Sequence, residues 1–191
     1  MSVKVLRRPL AYTHRLKSRS TDCIKLVVIH CTELPDLATA RVWGEKQVYP
    51  ESQTGNSGHF YIDRDGRIEE WVPVYRIAHH VRDFNAKSVG IELVNSGRYP
   101  DWFQSDNQHM SEDYPEAQIE ALASLVNQLV TQLPGLEMIA GHEELDTGVR
   151  PSEDNQDMMI RRKIDPGPLF PWSEFLDRVL LNRWTLANHE N

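Results

Sequence analysis

The sequence predicts an α/β fold, in which a mixed central β-sheet carries helices packed on its faces within a single domain. Residues 24–29 (IKLVVI) form a short, β-branched apolar run, which is typical of a strand buried on both faces. Residues 115–133 carry apolar side chains at helical spacing. Between these two segments, Asp65-Gly66 separates two apolar stretches, as in a β-hairpin. Strands interleaved with helices favour a sheet that is covered by helices.

The remaining elements follow from the same patterns in chain order. Asp36 is a suitable N-cap for a helix that should reach about residue 47. Pro115 suits the first turn of the long helix, and Pro134-Gly135 should end it. The predicted elements are strand 24–29, helix 36–47, strands 59–62, 67–72 and 88–94, helix 115–133, strand 137–140 and helix 173–180.

Length and charge limit the classes of protein that the chain can represent. Its 191 residues suit one domain with a sizeable core. The net charge is −7, yet residues 1–20 carry six Lys and Arg and no acid. The remaining residues hold 15 basic and 28 acidic side chains, which argues against a nucleic-acid partner. We expect residues 1–20 to be a basic, solvated or loosely docked arm, and residues 21–191 to form the domain.

The distribution of apolar residues and cysteines suggests a location. The longest purely aliphatic run, residues 26–29, is far too short to cross a membrane, so no membrane partner is expected. No apolar segment of signal-peptide length is seen near residue 1. Cys23 and Cys31 do not make a disulfide framework. We therefore expect a cytoplasmic protein.

Three side chains could form a metal site at one edge of the sheet. His30 follows one predicted strand, His142 lies near the end of another, and Asp165 precedes Pro166. Sites in α/β folds form where loops converge at strand ends, and two imidazoles with a carboxylate are a ligand set for catalytic zinc. Each residue also has a structural interpretation, because a histidine after a strand is often hydrogen-bonded and Asp before Pro is often a turn residue. Spacing alone leaves both interpretations open.

Two further charged residues have unusual settings. Glu92 alternates with apolar residues in the predicted strand 88–94. Burial would raise the pKa of Glu92 towards that of a useful general base, whereas in an edge strand the carboxylate would simply face water. Lys163 stands two residues before Asp165, and Pro166 favours an extended conformation at that point. Both side chains should then lie on one face, as a salt bridge or as part of an active site.

Six motifs occur in the order expected for one known family. They are VVIHCTE (27–33), SGHFYIDRDGRI (57–68), IAHHV (77–81), SVGIELVN (88–95), IAGHEE (139–144) and KIDPGPLFPW (163–172). Together they resemble the zinc-dependent N-acetylmuramoyl-L-alanine amidases of type 2, a family that includes peptidoglycan recognition proteins. The resemblance covers about residues 24–180 and implies that residues 21–191 are an amidase domain.

The resemblance implies a role for each candidate side chain. It implies Zn²⁺ ligands at His30, His142 and Asp165. Glu92 matches the glutamate that activates water, and Lys163 matches the lysine that stabilises the oxyanion of the tetrahedral intermediate. These assignments turn an ambiguous set of polar residues into an expected catalytic site.

Other positions depart from the family pattern or match it less closely. The resemblance implies substrate contacts at His80 and Asn85, whereas His59 is expected to pack beneath the site. Gly58 stands where some branches of the family carry a catalytic tyrosine, so acid–base chemistry should rest on Glu92 and Lys163. The long polar insertion at 143–162 could cover the cleft or influence substrate choice.

The resemblance also implies an activity, the hydrolysis of the amide bond between N-acetylmuramic acid and L-alanine. The expected partners are soluble muropeptides, in a recycling role, or peptidoglycan. One alternative is a phage or bacterial lytic amidase that acts on intact cell wall. Another is a non-catalytic peptidoglycan-binding module, although such modules typically lose a metal ligand and all three expected ligands are present here.

Overall fold

A seven-stranded mixed β-sheet forms the centre of the computed structural model, which describes residues 3–185. The elements are β1 (Val5–Arg7), β2 (Leu26–Cys31), α1 (Leu37–Gly44), β3 (Phe60–Ile62), β4 (Ile68–Glu70), β5 (Ser88–Leu93), α2 (Glu116–Gln132), β6 (Met138–Gly141), α3 (His142–Leu145), β7 (Val149–Pro151), β8 (Met159–Arg161), α4 (Trp172–Leu176) and β9 (Asn182–Arg183). The sheet order is β1-β4-β3-β5-β2-β6-β9, and its strand pairs are parallel except for β3 with β4. The predicted α/β class with a mixed sheet is confirmed.

Strand β2 lies near the middle of the sheet and is buried along its whole length. It pairs in parallel with β5 on one side and with β6 on the other. The predicted strand at 24–29 is therefore correct in type, but β2 begins two residues later and continues through His30 to Cys31. Because β2, β5 and β6 are parallel, their carboxyl ends meet at one edge of the sheet.

The helices follow the predicted pattern with two differences in length. Oδ1 of Asp36 accepts a hydrogen bond of 2.6 Å from the Thr39 amide, which confirms the predicted N-cap of α1, but α1 ends three residues earlier than expected. Helix α2 begins directly after Pro115 and buries its apolar stripe in the main core. The last predicted helix, 173–180, is wrong in length, since α4 ends at Leu176. The chain turns there because Val179 and Leu181 enter the core before β9 joins the sheet.

The N-terminal residues are integrated into the fold. Strand β1 pairs in parallel with β4, and Leu10, Tyr12 and Leu16 are buried in a core cluster under α1. The expectation of a solvated or loosely docked arm is therefore wrong for residues 3–20. The proposed division at residue 20 stays a prediction, and residues 1–2 and 186–191 lie outside the described part of the chain.

The insertion at 143–162 begins in α3 and contains a small hairpin. Strands β7 and β8 pair in antiparallel fashion and pack against the loop that follows β5. The amide of Glu153 donates to the carbonyl oxygen of Phe103 at 2.8 Å, and the Arg150 guanidinium lies 3.9 Å from the centre of the Phe103 ring. Within residues 3–185, no helix is both long enough and apolar enough to cross a membrane.

Candidate metal centre and catalytic cleft

Three candidate ligand atoms converge at the carboxyl edge of the parallel strands. Nδ1 of His30 lies 3.0 Å from Nδ1 of His142, and Oδ2 of Asp165 lies 3.2 Å and 3.1 Å from these two nitrogens. All three side chains are buried. His30 lies in β2, His142 is the first residue of α3 directly after β6, and Asp165 is held by a hydrogen bond from the Glu143 amide to its backbone carbonyl. The sheet therefore brings together residues that are far apart in sequence.

The donor set fits a small divalent cation such as Zn²⁺. A tetrahedral zinc ion with bonds of about 2.0–2.2 Å has ligand atoms roughly 3.3–3.6 Å apart, close to the observed separations. Burial and the nearby His142 lower the pKa of His30 to about 4, so its imidazole is neutral and can offer a lone pair. Burial alone would raise the pKa of Asp165, but the two histidines and Lys163 outweigh it and hold this pKa well below its usual range. Among the described residues, Oδ1 of Asp165 is buried without a hydrogen-bond partner, so the carboxylate whose Oδ2 faces the two histidines retains a polar atom that a bound cation could satisfy.

Glu92 lies beside the three ligand residues. It occupies β5, which is bordered by β3 and β2, so the edge-strand alternative for Glu92 is wrong. Its side chain is mostly buried, and it lines the same cleft as the candidate ligand residues. Burial and the charge of Asp165 raise the pKa of Glu92 to about 8, and Lys163 opposes this rise. A carboxylate with such a pKa can both accept and return a proton near neutral pH.

Lys163 and Asp165 line the same cleft, and the predicted extended conformation of residues 163–165 stays a prediction. The backbone that leads to Lys163 is fixed by Arg98, a residue that no local sequence pattern indicates. Arg98 is buried, binds Glu33 through Nε at 2.6 Å, and donates to the carbonyl oxygens of residues 161 and 162 at 3.3 Å. A buried arginine with these backbone contacts limits movement of the segment that carries the lysine.

Gly58 leaves space for the carboxylate of Glu92. A Cβ atom at this position would lie 2.7 Å from Cγ of Glu92, so a larger residue here would displace Glu92. Tyr61, which the sequence analysis also missed, is buried in the wall of the cleft and accepts a hydrogen bond from the Gly58 amide at 3.1 Å. Tyr61 pairs in register with Glu92 across β3 and β5, a relationship that only correct strand pairing could have indicated.

The expected substrate-binding residues line the cleft, but their polar atoms have partners within the protein. Nδ1 of His80 lies 2.9 Å from Nε2 of His30. Oδ1 of Asn85 accepts hydrogen bonds from the amides of His80 and Val81, at 2.9 and 2.8 Å. Contact of His80 and Asn85 with substrate therefore stays a prediction. His59 is fully buried and its Nδ1 accepts from the Gly90 amide at 3.0 Å, which confirms its expected place beneath the site.

The cleft above these residues has a volume of about 760 Å³. Its upper walls include the aromatic side chains of Trp43, Tyr49, Trp102 and Phe103. Trp102 and Phe103 belong to the loop that the β7–β8 hairpin supports, and Arg162, just after β8, also lines the cleft. The insertion thus helps to build one wall, whereas its effect on substrate choice stays a prediction.

An α/β sheet that presents two histidines and a carboxylate at the floor of an open cleft has the arrangement of a metal-dependent hydrolase. The chain belongs to the N-acetylmuramoyl-L-alanine amidase family: the model of that family, Amidase_2, matches residues 19–168.

Individual relatives agree with this assignment. The chain is 27% identical over 194 residues to N-acetylmuramoyl-L-alanine amidase AmiD of Escherichia coli, an alignment that covers 94% of this chain and 61% of AmiD. It is 26% identical over 196 residues to 1,6-anhydro-N-acetylmuramyl-L-alanine amidase AmpD of Haemophilus influenzae, covering 90% of this chain and 91% of that protein. A solved complex of E. coli AmiD with anhydro-N-acetylmuramic acid-L-Ala-D-γ-Glu-L-Lys superposes with a TM-score of 0.62 at 25% identity, over 84% of this chain and 59% of that one. This chain thus spans about three fifths of the length of AmiD.

Proposed function

We propose that the protein hydrolyses the amide bond between N-acetylmuramic acid and L-alanine in soluble peptidoglycan fragments, with Zn²⁺ as its cofactor. The observation that carries this proposal is the convergence of His30, His142 and Asp165 beside Glu92 at the floor of the cleft. Membership of the amidase family and the likeness to AmiD bound to an anhydromuramyl peptide support the choice of substrate. We also propose a cytoplasmic location, as expected for recycling, which cell fractionation would test.

The surrounding residues match the requirements of amide hydrolysis. Zn²⁺ held by the three ligands would act as a Lewis acid and make water a nucleophile near neutral pH. Glu92 would accept the proton of the attacking water and deliver it to the departing amine of L-alanine. Lys163, which lines the same cleft as Asp165, would stabilise negative charge on the carbonyl oxygen of the substrate.

A substrate comparison tests the proposal. The purified protein would be incubated with a soluble anhydromuropeptide and with purified sacculi, before and after treatment with a chelator. We expect release of the stem peptide from the soluble fragment, loss of this release with the chelator and recovery with zinc. Cleavage of sacculi alone would support the lytic alternative. Zinc-loaded protein that binds the fragments without cleaving them would support the binding module and contradict our proposal.

A further inference from the structure

The imidazole of His80 lies behind His30, on the side away from the other two ligand residues. His30 directs Nδ1 towards His142 and Asp165, and its Nε2 lies 2.9 Å from Nδ1 of His80. The two rings are nearly perpendicular, at 86°, with their centres 5.1 Å apart. His80 therefore contacts the nitrogen of His30 that faces away from the metal centre.

The hydrogen bonds continue from His80 to the protein backbone. Nε2 of His80 lies 3.2 Å from Oγ of Ser88, and this hydroxyl donates to the carbonyl oxygen of Phe84 at 2.8 Å. Ser88 is fully buried. Because a carbonyl oxygen can only accept, the hydroxyl proton of Ser88 points to Phe84 and its oxygen accepts from Nε2–H of His80. Nδ1 of His80 is then the acceptor for Nε2–H of His30.

This order of donors and acceptors determines the tautomer of His30. With its proton on Nε2, His30 presents the lone pair of Nδ1 to the metal centre. The opposite tautomer would place a proton on Nδ1, which faces Nδ1 of His142 and the carboxylate of Asp165. The chain of hydrogen bonds thus favours the form of His30 that can bind a cation.

Backbone contacts hold His80 in this position. The amide oxygen of Asn85 accepts from the amides of both His80 and Val81. The ring also lies directly on the backbone of β5, where a Cβ atom at Gly90 would be 2.5 Å from Nδ1 and 2.6 Å from Cγ of His80. Glycine at position 90 is therefore needed for the close approach of His80 to the sheet.

The N-terminal residues support the same segment. Nη1 of Arg19 donates to the carbonyl oxygens of Asn85 and Ser88, at 2.9 and 2.7 Å, and Nε donates to that of Val74 at 2.8 Å. One guanidinium thereby connects the chain before β2 with the backbone of both residues that hold His80. Asn85 consequently fixes the backbone of His80, and two residues of β5, Ser88 and Gly90, fix its ring.

We propose that His80 is a positioning residue, which with Ser88 fixes the Nε2–H tautomer of His30 and so increases the affinity of the site for Zn²⁺. This role rests on the metal centre of the proposed function, and it differs from the substrate contact that the family resemblance implies. Partners that orient metal-binding histidines commonly change metal affinity by about 10- to 100-fold when they are removed.

The proposal is tested by measuring Zn²⁺ affinity through competition with a chelator, on protein whose fold is checked by circular dichroism. His80→Phe should bind zinc about 10- to 100-fold more weakly than wild type. His80→Asn should recover most of the affinity, because its amide oxygen can take the place of Nδ1. Ser88→Ala should also weaken binding, although Ser88 does not contact a ligand atom. His109→Asn, at an exposed histidine, is the matched control and should bind as wild type does.

The outcomes separate this proposal from the proposed function. Wild-type protein that binds no zinc would overturn both. If His80→Phe bound zinc as tightly as wild type does, the role of His80 alone would be overturned. Equal zinc affinities of His80→Phe and His80→Asn would have the same consequence. A second measurement needs no variant: long-range ¹H–¹⁵N spectra of zinc-loaded wild type should show Nε2–H on both His30 and His80. An Nδ1–H tautomer at His80 would contradict the proposal.

Discussion

His30 and Glu92 lie directly opposite each other on the adjacent parallel strands β2 and β5. One candidate metal ligand and the candidate proton acceptor are therefore held by the same ladder of backbone hydrogen bonds. Since both strands are buried between helices and neighbouring strands, little movement between them is expected. The sheet therefore fixes the position of the candidate proton acceptor relative to the candidate metal site.

The first prediction separates these two functions. Glu92→Gln removes the proton acceptor but none of the three ligand atoms, so we expect unchanged zinc content with kcat lower by at least about 100-fold. Metal analysis and muropeptide hydrolysis on the same preparation test this. Loss of zinc in the variant, or substantial activity with zinc present, would contradict the role given to Glu92.

The second prediction concerns the pH dependence of stability in the metal-free protein. The folded-state pKa of Glu92, about 8, lies above its ordinary value of 4.5, so the folded protein retains a proton that the unfolded chain releases between these values. This contribution of Glu92 is complete below pH 4.5 and is lost as the pH rises towards 8. We expect the free energy of unfolding of wild type, relative to Glu92→Gln, to fall over this window by at most about 1.4 kcal/mol per pH unit. Urea denaturation of both proteins at pH 5, 6.5 and 8 measures this difference in the free energy of unfolding. A difference that does not change with pH would contradict the raised pKa of Glu92.

The third prediction concerns the metal. Zinc that binds only the folded protein should raise its stability by about 2.7 kcal/mol at a free concentration of 100 times Kd. Adding zinc to chelator-treated wild type should therefore increase Tm, whereas Asp165→Ala, which lacks one ligand, should show little increase. Thermal denaturation with and without zinc compares them. An equal increase in Tm in both proteins would show that zinc binds at another site.

The fourth prediction concerns Arg19. Arg19→Ala removes a partly buried guanidinium and leaves carbonyl oxygens around residues 85–88 without their donor, which should cost about 1–3 kcal/mol in the free energy of unfolding. Lys17→Ala, at an exposed position two residues earlier, is the control and should change stability by less than about 0.5 kcal/mol. Equal effects of the two substitutions on chemical denaturation would show that Arg19 has no special contribution.

Local patterns predicted much of the fold correctly. The apolar run of β2, the N-cap at Asp36 and the stripe of α2 depend on residues close in sequence, so they could be recognised directly. The burial of Leu10 and Leu16 could not, because it depends on packing under α1 rather than on any local pattern. The early end of α4 likewise follows from the need to return the chain to the sheet.

The candidate site could be predicted only in part from the sequence. The strand ends and the family motifs indicated the three candidate ligands, and the structure brings them within hydrogen-bond distance. The contact between His80 and His30 was not predictable, because it depends on the packing of the His80 ring against the backbone of β5 at Gly90. Tyr61 was missed for a related reason, since its position next to Glu92 requires the register between β3 and β5.

The contacts of Arg19 also constrain the order of events during synthesis. Its carbonyl partners lie 55 to 69 residues further along the chain. The segment that contains Arg19 therefore cannot complete its native contacts until residues 85–88 have also been synthesised. Contacts over such separations form slowly because a long loop must close first. Arg19 thus leaves the ribosome well before the carbonyl groups that its guanidinium binds.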